Sequence, residues 1–196
     1  MAPTEHPQAV IIAGPNGSGK STCAELLLPE GMSFINADMI AQELSGHHST
    51  TADLRAGRIL ISRMEQLERD RKDFAIETTL ATKKLAPRIA RLREGGYECH
   101  LLFLYMPSDD LAVERVKARV RAGGHDVPEE TIRRRYRAGI ELFFSTYQPL
   151  VDTWKMYDNS SIADPKLIAW GRGSEVKANP QSQKYHRIAQ QWMPNE

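Results

Sequence analysis

Residues 14–21 read Gly-Pro-Asn-Gly-Ser-Gly-Lys-Ser, and no other stretch restricts the fold of this chain so severely. The spacing G-x-x-x-x-G-K-[ST] is that of a phosphate-binding loop, which works between a strand and a helix. Both flanks fit. Gln8-Ala9-Val10-Ile11-Ile12-Ala13 is a short apolar run rich in β-branched residues, as a strand buried on both faces requires. Ser21 to Leu28 starts a helix, which Pro29 and Gly31 stop. Gly14, Asn16, Gly17, Ser18 and Gly19 would then turn backbone N–H groups toward phosphate oxygens, at the positive end of the helix dipole. Lys20 would reach the β- and γ-phosphates and the Ser21 hydroxyl would hold Mg²⁺, with Thr22 counted in the same loop.

The rest of the chain alternates. Ser33 to Ala37, Phe74 to Ile76, Cys99 to Tyr105 and Trp154 to Tyr157 read as short buried strands that end in polar residues. Helices are predicted at about 52–72, 82–95, 109–122 and 128–147, between these strands. Such alternation predicts an α/β, three-layer P-loop fold with a mostly parallel five-stranded sheet. After Asn159 the pattern changes. Lys166 to Trp170 and Glu175 to Lys177 flank Gly171-Arg172-Gly173-Ser174 as a small hairpin, and a short helix is predicted from about Ser182 to Trp192. With 196 residues, a single domain over 1–196 is expected. Its lid lies at about 109–147, and the C-terminal hairpin and helix at about 164–193 form an appendage.

Composition excludes little and suggests a compartment. Net charge is +1, so bulk electrostatics favour neither nucleic acid nor a membrane surface. No apolar run approaches the ~20 residues that span a bilayer, and Met1 to Pro7 lacks a leader's apolar centre. A cytoplasmic protein is expected. Cys23 and Cys99 are far apart without metal spacing and read as small buried side chains.

Ligands on parallel sheets bind beyond the carboxyl ends of the strands, so the residues there carry the chemistry. Asp38 follows the second strand. Its carboxylate there accepts or orients an acceptor hydroxyl proton, or caps the helix predicted over Met39 to Leu44. Glu77 ends the third strand, where a carboxylate holds a Mg²⁺-bound water or is merely solvated. Thr79 offers a substrate hydroxyl or is a β-former only. Asn159, after the last strand, reads a nucleotide base or closes an Asx-turn.

Two arginine-rich helices make the lid. Arg115, Lys117, Arg119 and Arg121 precede Gly123-Gly124-His125-Asp126, with Asp126 and Pro128 as helix-start residues. Arg133, Arg134, Arg135 and Arg137 follow. One to three of these arginines are expected on the transferring phosphate, and the others in i,i+4 pairs such as Glu129 with Arg133. His125 reads as a structural turn residue.

Taken together, these segments resemble the zeta-toxin family of P-loop kinases, in a small single-domain form. The likeness rests on Ile12 to Thr22, Phe34 to Asp38, Phe74 to Leu80, Arg119 to Pro128 continuing through Arg133-Arg134-Arg135-Tyr136, and Tyr157 to Ser160, within roughly residues 8 to 170. The resemblance implies ATP and Mg²⁺ as cofactors, Asp38 as the base, and Glu77 and Thr79 beside the substrate or metal. It implies lid arginines on the phosphate, chosen here as Arg119, Arg121 and Arg134. A sugar-nucleotide acceptor such as UDP-N-acetylglucosamine and an antitoxin partner belong to the same family pattern. The chain is shorter than the large toxins, and its Gly-Gly-His-Asp-Val-Pro lid is that of smaller relatives. The expected function is phosphorylation of a small-molecule hydroxyl. A nucleic-acid 5′-hydroxyl kinase and an ATP-binding switch acting through partners are the alternatives. The first is disfavoured by the small net charge and by the lack of interleaved aromatic and basic residues.

Overall fold

A computed structural model describes residues 6–36, 39–40, 50–161 and 164–193. Five strands run parallel: β1 (Gln8–Ala13), β2 (Ser33–Ile35), β3 (Phe74–Thr78), β4 (Glu98–Tyr105) and β5 (Thr153–Asp158). Two more, β6 (Lys166–Arg172) and β7 (Glu175–Ala178), add in antiparallel fashion. The order across the sheet is β2-β3-β1-β4-β5-β6-β7. The C-terminal hairpin is thus an extension of the sheet, seven strands wide, and not the separate appendage expected.

β1 and β4 are central and alternate between two cores. Ala9, Ile11, Ala13, Cys99, Leu101, Phe103 and Tyr105 face the larger one. Val10, Ile12, Leu102 and Leu104 face the smaller, with Cys23 and Ala24 of helix α1 (Lys20–Leu27). Both faces are therefore dry, which is why these strands are apolar throughout. Cys23 and Cys99 are free and buried, as their spacing implied.

Helices α2 (Thr50–Arg69), α3 (Ala86–Glu94), α4 (Asp109–Arg121) and α5 (Glu129–Leu142) follow, and α6 (Ser182–Trp192) ends the fold. α4 begins where Ser108 accepts the Leu111 N–H at 3.2 Å, and it carries Asp109 and Asp110 in its first turn and Arg119 and Arg121 in its last. Each feature suits the helix dipole. α5 starts at Pro128 rather than at an Asp126 cap, and buries Ile132, Tyr136, Gly139 and Ile140 along one stripe. Its predicted continuation to residue 147 is a separate π-turn, Phe143–Tyr147, which carries Phe143, Phe144 and Tyr147 into the core.

Among the described residues no helix is long and apolar enough to cross a membrane. Register places the functional edge. Ile12 lies opposite Glu77 and Ala13 opposite Thr78, while Tyr105 lies opposite Asp158. The segments after β1, β3 and β5 therefore emerge together.

Candidate functional site

The loop after β1 is built on glycines. Gly14 has φ +150° and a Cβ there would sit 2.6 Å from the Leu104 carbonyl oxygen and 2.7 Å from Ser18 Oγ. Gly17 has φ +78°, and its Cβ would meet the Ala112 carbonyl oxygen at 2.8 Å. The loop is thus pressed between β4 and α4, with no room for a side chain. Asn16, Ser18 and Lys20 are buried. The Ser18 N–H donates to the Pro15 carbonyl at 3.2 Å and the Cys23 N–H to Gly19 at 2.8 Å, which leads the loop into α1. Lys20 Nζ donates to the Pro15 carbonyl at 3.0 Å and folds over the loop mouth.

One carboxylate gathers the polar groups. Ser21 Oγ and Asn36 Nδ2 both donate to Glu77 Oε2 at 2.7 Å, and Lys20 Nζ lies 3.7 Å from Glu77 Oε1. Asn36 Oδ1 also accepts the Met39 N–H at 3.4 Å, and the Asn36 carbonyl accepts the Ile40 N–H at 3.1 Å. The sequence offers Asp38 as a cap for the helix predicted over Met39 to Leu44. Asp38 itself lies outside the described residues.

Ser21 and Glu77 bring a hydroxyl and a carboxylate oxygen together beside a phosphate loop. These hard oxygen donors fit Mg²⁺, which takes one or two protein oxygens and completes its shell with phosphate and water. Among the described residues no group of three or more His, Cys, Asp or Glu is placed to hold a metal ion.

Thr79 sits half-buried just beyond β3. The Thr78 hydroxyl accepts the Leu80 N–H at 3.1 Å, and Leu80 adopts φ +57°. A left-handed leucine is costly and marks a turn held by its surroundings. α5 supplies them, since a Cβ at Gly139 would stand 2.7 Å from the Thr79 carbonyl oxygen.

The arginines of α4 and α5 sort by helix face. Arg135 Nη1 donates to Asn16 Oδ1 at 3.4 Å and so reaches the phosphate loop. Arg115 donates to the carbonyls of Asn159 at 2.8 Å and Ser160 at 2.5 Å, with its stem against Gly17. Burial pulls the Arg115 pKa below its ordinary value, against an opposing effect of Asp158. Arg133 ties the helices together, bridging Glu129 at 2.7 Å and Asp110 at 2.7 Å, with Asp109 at 3.2 Å. Arg119 donates to the His125 carbonyl at 2.7 Å and closes the turn between the helices. Arg121 and Arg134 are exposed, and neither makes a hydrogen bond or ion pair among the described residues. Arg119, Arg121 and Arg134 are therefore not gathered at the loop in this structure, whereas Arg115 and Arg135 are.

That division was readable in principle. Arg135 lies three residues after Ile132 and four before Gly139, both buried, so helical periodicity puts it on the core-facing stripe. Arg115 lies three residues after buried Ala112. Asn36 is the other residue missed, and its place at a strand end was the available signal.

Asn159 is fully buried, and its Nδ2 donates to the Ser18 carbonyl at 2.6 Å. The amide nitrogen holds the phosphate loop instead of standing open to a base. Thr22 is exposed on α1.

Asp158 precedes it and accepts from the Ser160 N–H at 3.0 Å, from the Ser160 hydroxyl and from Lys184 of α6. Burial opposes its charge, but these donors outweigh burial and hold its pKa below the usual carboxylate value. Arg115 and Tyr105 also lie within its electrostatic reach. A carboxyl with a depressed folded pKa stabilises fully above its unfolded pKa and loses that contribution as pH falls through the folded value. The melting temperature of the chain is therefore expected to fall more steeply on acidification than that of Asp158→Asn. Parallel pH profiles by circular dichroism would contradict this.

A profile of the AAA domain family (AAA_33) matches residues 10–141, which takes in the phosphate loop, the end of β3 with Glu77, α4 and nearly all of α5. An uncharacterised protein of Haemophilus influenzae is 30% identical over 129 residues, 66% of this chain and 92% of that protein. Among solved structures, a chain of the AvrRxo1-ORF1:-ORF2 complex with ATP superposes with a TM-score of 0.70 at 16% identity. That match covers 93% of this chain and 63% of the other, so this chain spans less than two thirds of it. A chain of the PezAT chromosomal toxin–antitoxin system of Streptococcus pneumoniae superposes with a TM-score of 0.66 at 16% identity, covering 98% and 80%. The fold is that of the P-loop kinases.

Proposed function

Because the chain belongs to the AAA domain family of P-loop proteins, we propose that it is an ATP- and Mg²⁺-dependent phosphotransferase acting on a hydroxyl of a small molecule. One observation carries the reading. Lys20, Ser21, Glu77 and Asn36 converge on one side of the glycine loop, and Arg135 reaches the same loop from the lid. Phosphoryl transfer asks mainly for positioning and for positive charge around the moving group, and this arrangement supplies both.

Backbone N–H groups of Gly14, Asn16, Gly17 and Gly19 hold the phosphate chain. Lys20, now on the Pro15 carbonyl, turns to the β- and γ-phosphate oxygens. Ser21 and Glu77 are the residues to hold Mg²⁺, which when bound neutralises phosphate charge. Asn36 keeps the Glu77 carboxylate pointed at Ser21. Arg135, fixed by the buried stripe of α5, faces the transferring group, and Arg115 fixes the nucleotide side of the loop. Arg119, Arg121 and Arg134 complete the positive lid. Asp38 takes the acceptor proton, and Thr79 lies on the acceptor side.

The finer reading is a zeta-toxin-like kinase, with UDP-N-acetylglucosamine as the acceptor to test first and an antitoxin as the protein partner. The fold similarity to a toxin–antitoxin chain and to a chain crystallised with ATP supports it. A transfer assay with γ-labelled ATP and Mg²⁺ decides. It pairs UDP-sugars, nucleosides, free sugars and a 5′-hydroxyl oligonucleotide with the wild-type chain. Label is expected on a small-molecule hydroxyl. Label on the oligonucleotide alone would move the assignment to a nucleic-acid kinase, and label in free phosphate alone would favour a nucleotide switch. Asp38→Asn is expected to lower transfer by a factor on the order of a thousand, the range of general-base catalysis, while ATP binding persists. Full transfer by that variant would remove Asp38 from the role of base.

A further inference from the structure

The segment beyond the family match reaches back to the phosphate loop. β5, β6, β7 and α6 all lie C-terminal to residue 141. α6 is seated firmly, with Tyr185, Ile188 and Ala189 buried. Tyr185 stacks on Trp154 of β5 with ring centroids 5.9 Å apart and planes 12° from parallel. At its far end Trp192 packs edge-on against Tyr136 of lid helix α5, 6.1 Å between centroids. From this platform Lys184 extends to the Asp158 carboxylate.

Asp158 opens a three-residue hub. Its carboxylate accepts both the N–H and the hydroxyl of Ser160, which shapes the turn. Inside the turn, Asn159 donates its backbone N–H to Tyr105 at 3.0 Å and its amide to the Ser18 carbonyl at 2.6 Å. The carbonyls of Asn159 and Ser160 receive Arg115 of the lid. A single turn thus joins the phosphate loop, the first lid helix and the C-terminal helix. Ser18 lies within the loop, so any shift of the turn passes directly to the N–H groups that would meet phosphate.

We propose that Lys184 is a positioning residue for the nucleotide site, acting through Asp158 to hold the 158–160 turn against Ser18 and Arg115. The proposal rests on the ATP-binding reading above. Lys184 touches no part of the phosphate loop itself, so its effect appears in affinity for nucleotide and not in the chemical step.

The experiment is titration of the full chain with Mg-ATP, for wild type, Lys184→Ala and Lys184→Arg, with melting temperatures recorded for each. Lys184→Ala is expected to weaken ATP binding about fivefold, the low end of ordinary coupling between sites. Lys184→Arg, which keeps the charge, is expected to recover most of it. In the transfer assay the loss should fall on KM for ATP, with kcat near the wild-type value. Ile188→Ala serves as the comparison, because it loosens α6 while leaving Lys184 in place. It should lower the melting temperature without the fivefold loss of affinity. Wild type that binds ATP and a Lys184→Ala variant that binds equally well would overturn this inference alone. Equal weakening by Ile188→Ala would also overturn it, since general loosening of α6 would then suffice. A wild-type chain without affinity for ATP would overturn the nucleotide reading and this inference with it.

Discussion

Lys20→Ala is expected to weaken Mg-ATP binding by about a hundredfold and to abolish measurable transfer. Lys20 is 7% exposed and lies between the Pro15 carbonyl and the Glu77 carboxylate. Its ammonium therefore has little freedom and little water to lose when phosphate arrives, which favours a strong charge-assisted contact. Such contacts contribute about 1.5–3 kcal/mol each, and ~3 kcal/mol corresponds to somewhat more than a hundredfold in affinity. The folded state should survive, because the strands around the loop do not depend on this side chain. Titration calorimetry with a circular dichroism control measures both. Unchanged ATP affinity in a folded variant would remove the loop from nucleotide binding altogether.

The second large effect is on stability. Gly171→Ala is expected to cost about 3 kcal/mol, the upper end for overpacking. A Cβ at Gly171 would lie 2.1 Å from the Glu175 carbonyl oxygen and 2.6 Å from Trp154 Cζ2. One neighbour is backbone of the tight β6–β7 pair and the other is a fully buried indole, so neither can move freely. Trp154 is moreover fixed at its Nε1, which donates to the Gly173 carbonyl at 2.8 Å, and by its stack on Tyr185. Relief therefore requires the hairpin to separate from the indole, which would disturb the platform of α6. For a chain of this size a loss of that order lowers the melting temperature by roughly 6–12 °C. A drop of under two degrees would mean that the hairpin yields easily and contributes little to the fold.

The two effects differ in how visible they were beforehand. Lys20 stands in a motif whose chemistry is written in consecutive residues. Gly171 reads as an ordinary turn glycine, because Trp154 approaches it only once β6 has joined β5, and Glu175 only once β7 has paired with β6. The same contrast runs through the site. Glu77 could be named from a strand ending in a carboxylate, since register with β1 follows from the parallel topology. Asn36 stands at a similar strand end, but its place as partner of Glu77 needed the relative height of β2 and β3 to appear. Arg133 looked equivalent to Arg134 and Arg135 in a run of three. A helix turns by about 100° per residue, so the three point to the other lid helix, to solvent and to the loop. Asn159 could be set beyond the end of the last parallel strand, yet its burial and its bond to Ser18 depend on how closely the turn after β5 approaches the phosphate loop.

The sequence by itself determined the phosphate loop, the alternation that makes a parallel sheet, the two arginine-rich helices and the strand ends that face the site. These are local patterns, set by spacing and by the period of the apolar residues. The tertiary structure alone decided that the C-terminal hairpin widens the sheet to seven strands, that Arg115 and Arg135 turn to the loop, and that Lys184 holds the turn beside it. Those outcomes depend on which surfaces meet, and residues as far apart as Ser18, Arg115, Asp158 and Lys184 come together only when the phosphate loop, α4 and α6 pack around the turn after β5.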